Sequence, residues 1–96
     1  MNQLVLEYEG TISLKTSIYQ AIQHEIAMLM LAIRLSQEAL HTFEAQYDMP
    51  SEEFFEKMER GELGDSDDFI EWAGEYELLQ RTQNELYALE HVKICA

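Results

Sequence analysis

Glu38 and His41 stand three residues apart in "QEALHT". On a helix that spacing sets a carboxylate and an imidazole on one face, as carboxylate-bridged metal pairs in helical bundles require. Such a centre also needs a carboxylate from a neighbouring helix, aimed inward. Counted from the apolar seam described below, Glu38, His41 and His24 all fall on the far side. The second long helical stretch holds no Glu-x-x-His, and His91 simply follows Glu90. A solvated face is expected here, with no metal and no other cofactor. The acid run in "GELGDSDDFIEW" (61–72) invites comparison with a calcium loop. Counted from Asp65, such a loop needs an oxygen ligand at its fifth position, Gly at its sixth and Glu at its twelfth. The chain offers Phe69, Ile70 and Tyr76 instead. Acids at the start of a helix explain the run better. Nucleophilic catalysis lacks its residues: Cys95 is the only cysteine, next to the last residue, the histidines are scattered, and neither Gly-x-Ser-x-Gly nor a Gly-rich phosphate loop occurs. No enzymatic activity is expected.

Charge carries more information. Residues 52–77 hold eleven acids against Lys57 and Arg60, a net −9 over 26 residues. Phe54, Phe55, Phe69, Trp72 and Tyr76 are interleaved with them. One reading is a solvated face beside a hydrophobic core stripe. The other is a docking surface in which those five aromatics are the anchors and Glu62, Asp65, Asp68 and Glu71 complement a basic protein. The two are compatible, since the rings can point inward while the acids point out.

The whole chain agrees with that polarity. Its 96 residues carry 19 acids and 6 bases, net −13, with 47% hydrophobic residues. Nucleic-acid binding rests on cations that neutralise phosphates, so it is disfavoured. An anionic membrane surface is repelled for the same reason. The field favours encounter with a basic protein. The longest apolar run, "IAMLMLAI" (26–33), is far short of the roughly 20 residues that span a bilayer. Acids occupy "MNQLVLEYEG" where a signal peptide would carry bases, and one cysteine permits no internal disulfide. A cytoplasmic protein is expected.

The elements that position these residues follow from periodicity. In "QLVLEYE" (3–9), Leu4, Leu6 and Tyr8 alternate with Val5 and Glu7, a short strand pattern, with a turn at Gly10 and Thr11. From there the period becomes helical. Ile22, Ile26, Leu29, Ile33, Ser36, Leu40, Phe43 and Tyr47 form an unbroken heptad seam with one polar member. Met28, Met30, Leu31, Ala32 and Leu35 extend the apolar surface most of the way round. A helix apolar on most sides must be covered on most sides. One returning helix cannot do that, so Ile26, Met28, Leu29, Met30, Leu31, Ile33 and Leu35 are expected to meet a second chain. The length expected for this helix is about 45 to 50 Å. Pro50 is read as its stop, Ser51 as the N-cap of a short helix with Glu52 and Glu53 in its first turn, and Gly61 as a left-handed C-terminal glycine. Asp65 or Ser66 caps the last helix, Asp65 with Asp68 resembling a capping box. Gly74 within it is a candidate for close approach of another backbone. The expected fold is all-α, with a single domain over 1–96. It is an antiparallel hairpin of a long helix (about 14–47), a short helix (51–60) and a second long helix (66–91). A short N-terminal strand-like segment precedes it, and copies close into an oligomeric bundle.

The run from Tyr47 to Leu79 is similar to small prokaryotic antitoxin-like proteins encoded beside TumE-like toxins. The resemblance lies in "M-x-x-E-E-F" (Met49 to Phe54), "G-E-L-G-D" (Gly61 to Asp65) and "D-F-x-E-W" (Asp68 to Trp72), about a third of the chain. It implies a non-enzymatic partner that neutralises a small toxin, with the matched positions serving partner contact or hairpin structure. There is no basic DNA-binding module, so the resemblance does not extend to autoregulation on DNA. The rival expectation is a purely structural, self-associating homo-oligomeric bundle.

Overall fold

A computed structural model of the chain describes the backbone of residues 3–92 and the side chains of residues 13–92. Three helices follow one another: α1 (Gln3–Tyr47), α2 (Ser51–Glu59) and α3 (Asp67–Glu90). The fold is all-α, with no strand among the described residues. The strand-like reading of residues 3–9 is therefore corrected: α1 already begins at Gln3 and runs through Gly10 and Thr11. A lone strand leaves its backbone groups unpaired, whereas a helix closes every bond within itself. Once the downstream heptads have nucleated the helix, each further residue adds one such bond. α1 is accordingly longer than expected. Its 45 residues span about 68 Å at the standard rise, which is the long dimension of the molecule, 68 × 22 × 20 Å.

Two junctions turn the chain. α1 ends at Asp48, which takes the left-handed conformation (φ 52°), while Met49 N–H donates to the Glu44 carbonyl at 3.2 Å. Asp tolerates this region better than most residues. The turn is made at Asp48, two residues before Pro50, which cannot continue the helix. At the end of α2, Gly61 adopts φ +71°, as expected. Its N–H donates to the Met58 carbonyl and that of Glu62 to the Lys57 carbonyl, both at 3.0 Å, the paired bonds of a Schellman close. Ser66 begins α3, its Oγ accepting from the Phe69 N–H at 3.2 Å. Ser66, not Asp65, is the cap.

Contacts between α1 and α3 descend one helix as they climb the other. Tyr47 meets Phe69, with ring centroids 5.2 Å apart. Leu40 and Tyr76 share one cleft, and Ile22 and Ile26 share another with Leu89 and Val92. The heptad seam supplies this face: Leu29, Ser36, Leu40 and Phe43 are buried, and Ile22, Ile26, Ile33 and Tyr47 are half-buried. The core is densest where all three helices meet, around Leu40, Phe43, Phe54 and Trp72. Apart from its own turn of α3, nothing among the described residues lies within 4 Å of a Cβ built on Gly74, so no other backbone approaches it here. Among the described residues no helix is long and apolar enough to cross a membrane.

Candidate functional site

The aromatic residues singled out in the sequence converge at the three-helix junction. Phe54 and Trp72 are 0% exposed. Their rings stack in parallel, with centroids 3.8 Å apart and planes 4° off. Phe43 stacks on the indole at 5.6 Å and Tyr47 at 5.7 Å. Phe69 touches both Phe54 and Tyr47 through tilted or edge contacts. Burial of the large rings holds α2 onto the end of the α1–α3 pair. Phe54 and Trp72 are thus core residues, and no partner reaches them in this fold. Phe55 and Tyr76 pair at 4.9 Å and are half-buried, as is Phe69, so these three keep an accessible edge.

Polar groups lock the same junction. Trp72 Nε1–H donates to Ser51 Oγ at 2.9 Å, entirely out of solvent. This corrects the reading of Ser51 as a side-chain N-cap. Ser51 is the first residue of α2 and 2% exposed, and its hydroxyl serves the indole. The start of α2 is held from another helix: Glu44 Oε2 on α1 accepts the Ser51 backbone N–H at 2.8 Å. A carboxylate at that place also faces the positive end of the α2 dipole. Tyr47 Oη–H donates to Asp68 Oδ2 at 2.5 Å, and Gln46 Nε2 donates to the same oxygen at 3.3 Å. Asp68 therefore ties the end of α1 to the start of α3, and it does not close a capping box with Asp65. Its carboxylate pushes the Tyr47 phenol above its ordinary value, first through the hydrogen bond, then through partial burial and the direct charge. Sequence reasoning missed Glu44 and the cross-helix role of Tyr47. The only signal for Tyr47 was its place as last member of the seam, and no spacing marked Glu44 as a cap for a helix seven residues away.

The acids form the outside of this junction. Glu52, Glu53, Glu56, Glu59, Glu62, Asp65, Asp67, Glu71 and Glu77 are exposed, while Asp68 and Glu75 are half-buried. Arg60 Nε–H donates to Glu62 Oε2, the only ion pair among the described residues. Glu62 is thus partly neutralised, whereas Asp65 and Glu71 form no ion pair among the described residues. A cleft of about 310 Å³ opens between α1, α2 and α3, lined by His41, Glu44, Ser51, Glu52 and Tyr76 among others. Glu38 and His24 are exposed on the far side of α1 from the seam, whereas His41, also exposed, borders this cleft and is not on the far side as its spacing suggested. Among the described residues no three His, Cys, Asp or Glu side chains come together to hold a metal ion. Cys95 lies outside the described residues.

The residues expected to meet a second chain divide in two. Leu29 is covered by the chain's own fold at 8% exposure, with Ile26 and Ile33 half-covered. Met28, Met30, Leu31 and Leu35 remain in solvent, Met30 at 57% and Leu35 at 54%. No family model matches the chain, and comparison with curated proteins and with solved structures returned no match.

Proposed function

We propose that this chain is a non-enzymatic, acidic protein-binding module, the antitoxin of a toxin–antitoxin pair, which neutralises a small basic toxin by covering its active surface. The observation that carries the reading is the unpaired acid density of residues 52–77 on a rigid three-helix junction. Nine of eleven acids are exposed, and one ion pair is present among the described residues. Carboxylates clustered without cations repel one another, and a basic surface that approaches them relieves that repulsion. Phe55, Phe69 and Tyr76 offer apolar edges among the acids, the mixture found at interface hot spots. The resemblance of residues 47–79 to antitoxin-like proteins supplies the class of partner. An acidic helical surface competes with RNA for a basic cleft, and that is how occlusion neutralises a ribonuclease-type toxin.

The test is a titration of this protein against the product of the adjacent gene. Binding is expected, and its affinity is expected to fall steeply between low and physiological salt. Reversing Glu56, Glu59 and Glu71 to Lys should abolish it while the helical circular dichroism is unchanged. A neighbouring product that is not basic, or binding indifferent to these charges, rejects the reading.

A second reading has its own support. The hairpin closes with other copies into a homo-oligomeric bundle, and the exposed Met28, Met30, Leu31 and Leu35 favour it. Both readings fit an intracellular protein that shuns nucleic acid and membranes.

A further inference from the structure

The chain exposes more surface than it needs to. A compact 11.2 kDa monomer exposes about 5,700 Å², and this chain exposes 7239 Å². The surplus of about 1,500 Å² is roughly twice what each partner buries in a standard interface. In one cleft between α1 and α3, Tyr19 of α1 lies with Val92, just past the end of α3. The first sixteen residues of α1, Gln3 to Ile18, therefore extend past the end of α3.

The exposed apolar residues of α1 are ordered. Leu14, Ile18, Ala21, Met28 and Leu35, with the half-buried Ala32 between the last two, repeat in heptad spacing, one residue before the members of the buried seam. They form a second stripe about a quarter-turn around the helix. Leu31 widens it. Leu14, Ile18, Met28, Leu31 and Leu35 are all large and exposed.

Charge identifies the occupant. Residues 44–77, at the junction end, hold thirteen acids against Lys57 and Arg60, a net −11, while Glu85 and Glu90 lie further along α3, which runs back beside α1. Residues 10–37 hold one acid, Glu25, against Lys15 and Arg34, a net +1. A basic partner has nothing to neutralise on this stripe, but a second near-neutral stripe fits it without repulsion. We infer that a second copy of this chain packs antiparallel against the stripe of Leu14, Ile18, Met28, Leu31 and Leu35, with the two acidic ends pointing away from each other. A parallel pair would set both junction ends, each net −11 over residues 44–77, side by side. The antiparallel pair is isologous, and it lays the overhang of each α1 along the other copy's helix pair. Overlap of the two stripes from Leu14 to Leu35 sets residue 24 of one copy opposite residue 25 of the other. Glu25, the stripe's one acid, then meets an imidazole, His24. This inference rests on the self-association reading and is independent of any toxin.

Light scattering and double electron–electron resonance on the purified protein alone test it. The expected mass is that of a dimer, about twice 11.2 kDa. Met28→Glu with Leu35→Glu changes only exposed positions, so helicity should survive. Two carboxylates buried in an apolar contact should weaken the dimer by tenfold or more. In a Cys95→Ser background, spin labels at Gln23→Cys should lie within about 30 Å across the dimer, and labels at Gln46→Cys about 60 Å or more apart. A monomer, a dimer unmoved by the double substitution, or short distances at both labels overturns the inference. Failure to bind a basic protein leaves it standing.

Discussion

Trp72 shows how much of this molecule rests on single groups. Its ring is fully buried between Phe54, Phe43 and Tyr47, and its only polar atom is met by Ser51 Oγ. Trp72→Ala should destabilise the fold by about 3–5 kcal/mol through the cavity it leaves. Ser51→Ala removes only one oxygen, yet it strands a buried N–H, which costs about 1–3 kcal/mol. Chemical denaturation of the two variants checks both, and a neutral Ser51→Ala would mean that water reaches the indole. Tyr47 offers a pH-dependent readout. Its phenol lies above the ordinary 10.0 chiefly because the hydrogen bond to the Asp68 carboxylate favours the protonated form, with partial burial and the Asp68 charge adding to it. The folded state therefore holds that proton more tightly than the unfolded chain. The stabilisation is complete below pH 10 and is lost as pH climbs through the raised value. Wild type should lose stability over that climb more than Tyr47→Phe does, as read from denaturation midpoints at successive pH values. Parallel curves would remove the Tyr47–Asp68 bond from the account.

At the scale of elements, two glycines of the same composition should answer the same substitution with opposite signs. Gly61 sits at φ +71° and closes α2. Gly61→Ala forces a side chain into the left-handed region and should cost about 1–2 kcal/mol. Gly74 lies in ordinary helix with open space at its Cβ. Gly74→Ala should stabilise α3 by about 1 kcal/mol, and thermal melts of the pair resolve the contrast. Both positions are plain in the sequence, but only Gly61 announces its role, because a glycine after an apolar helical run is a stop signal. The seam of α1 was equally legible, since heptad spacing states which face is covered. The start of α1 was not. Residues 3–9 alternate well enough for a strand, and alternation over seven residues does not distinguish a strand from the first turns of a helix whose apolar seam lies further along the chain. The start of α2 was missed for a related reason. Ser51 has the chemistry of a cap, and only the arrival of Trp72 from α3 decides that its oxygen is used elsewhere.

For the molecule as a whole, the legible feature was its charge, and the hidden one was where burial would cut through it. Acids interleaved with aromatics in residues 52–77 look alike along the chain, but folding sends Phe54 and Trp72 inward and leaves nine acids in water. Which aromatics turn inward depends on contacts with Phe43 and Tyr47, residues outside that segment. The result is a helical junction whose outside is crowded with like charge and relieved by one ion pair among the described residues. Repulsion of that kind opposes compaction, and salt weakens it. The screening length falls from about 30 Å at 0.01 M salt to about 8 Å at 0.15 M. Most of the repulsion between acids across the junction should vanish over that range, while the one exposed Arg60–Glu62 pair loses little because it contributes little. The melting temperature, followed by circular dichroism at 222 nm, should therefore rise by several degrees between 10 and 150 mM sodium chloride. Arg60→Ala should rise by about as much, since the pair is not what salt acts on. A melting temperature that falls with salt would show that attractive pairs outweigh the repulsion, and the acid face would then be a self-contained network with no need of a basic partner.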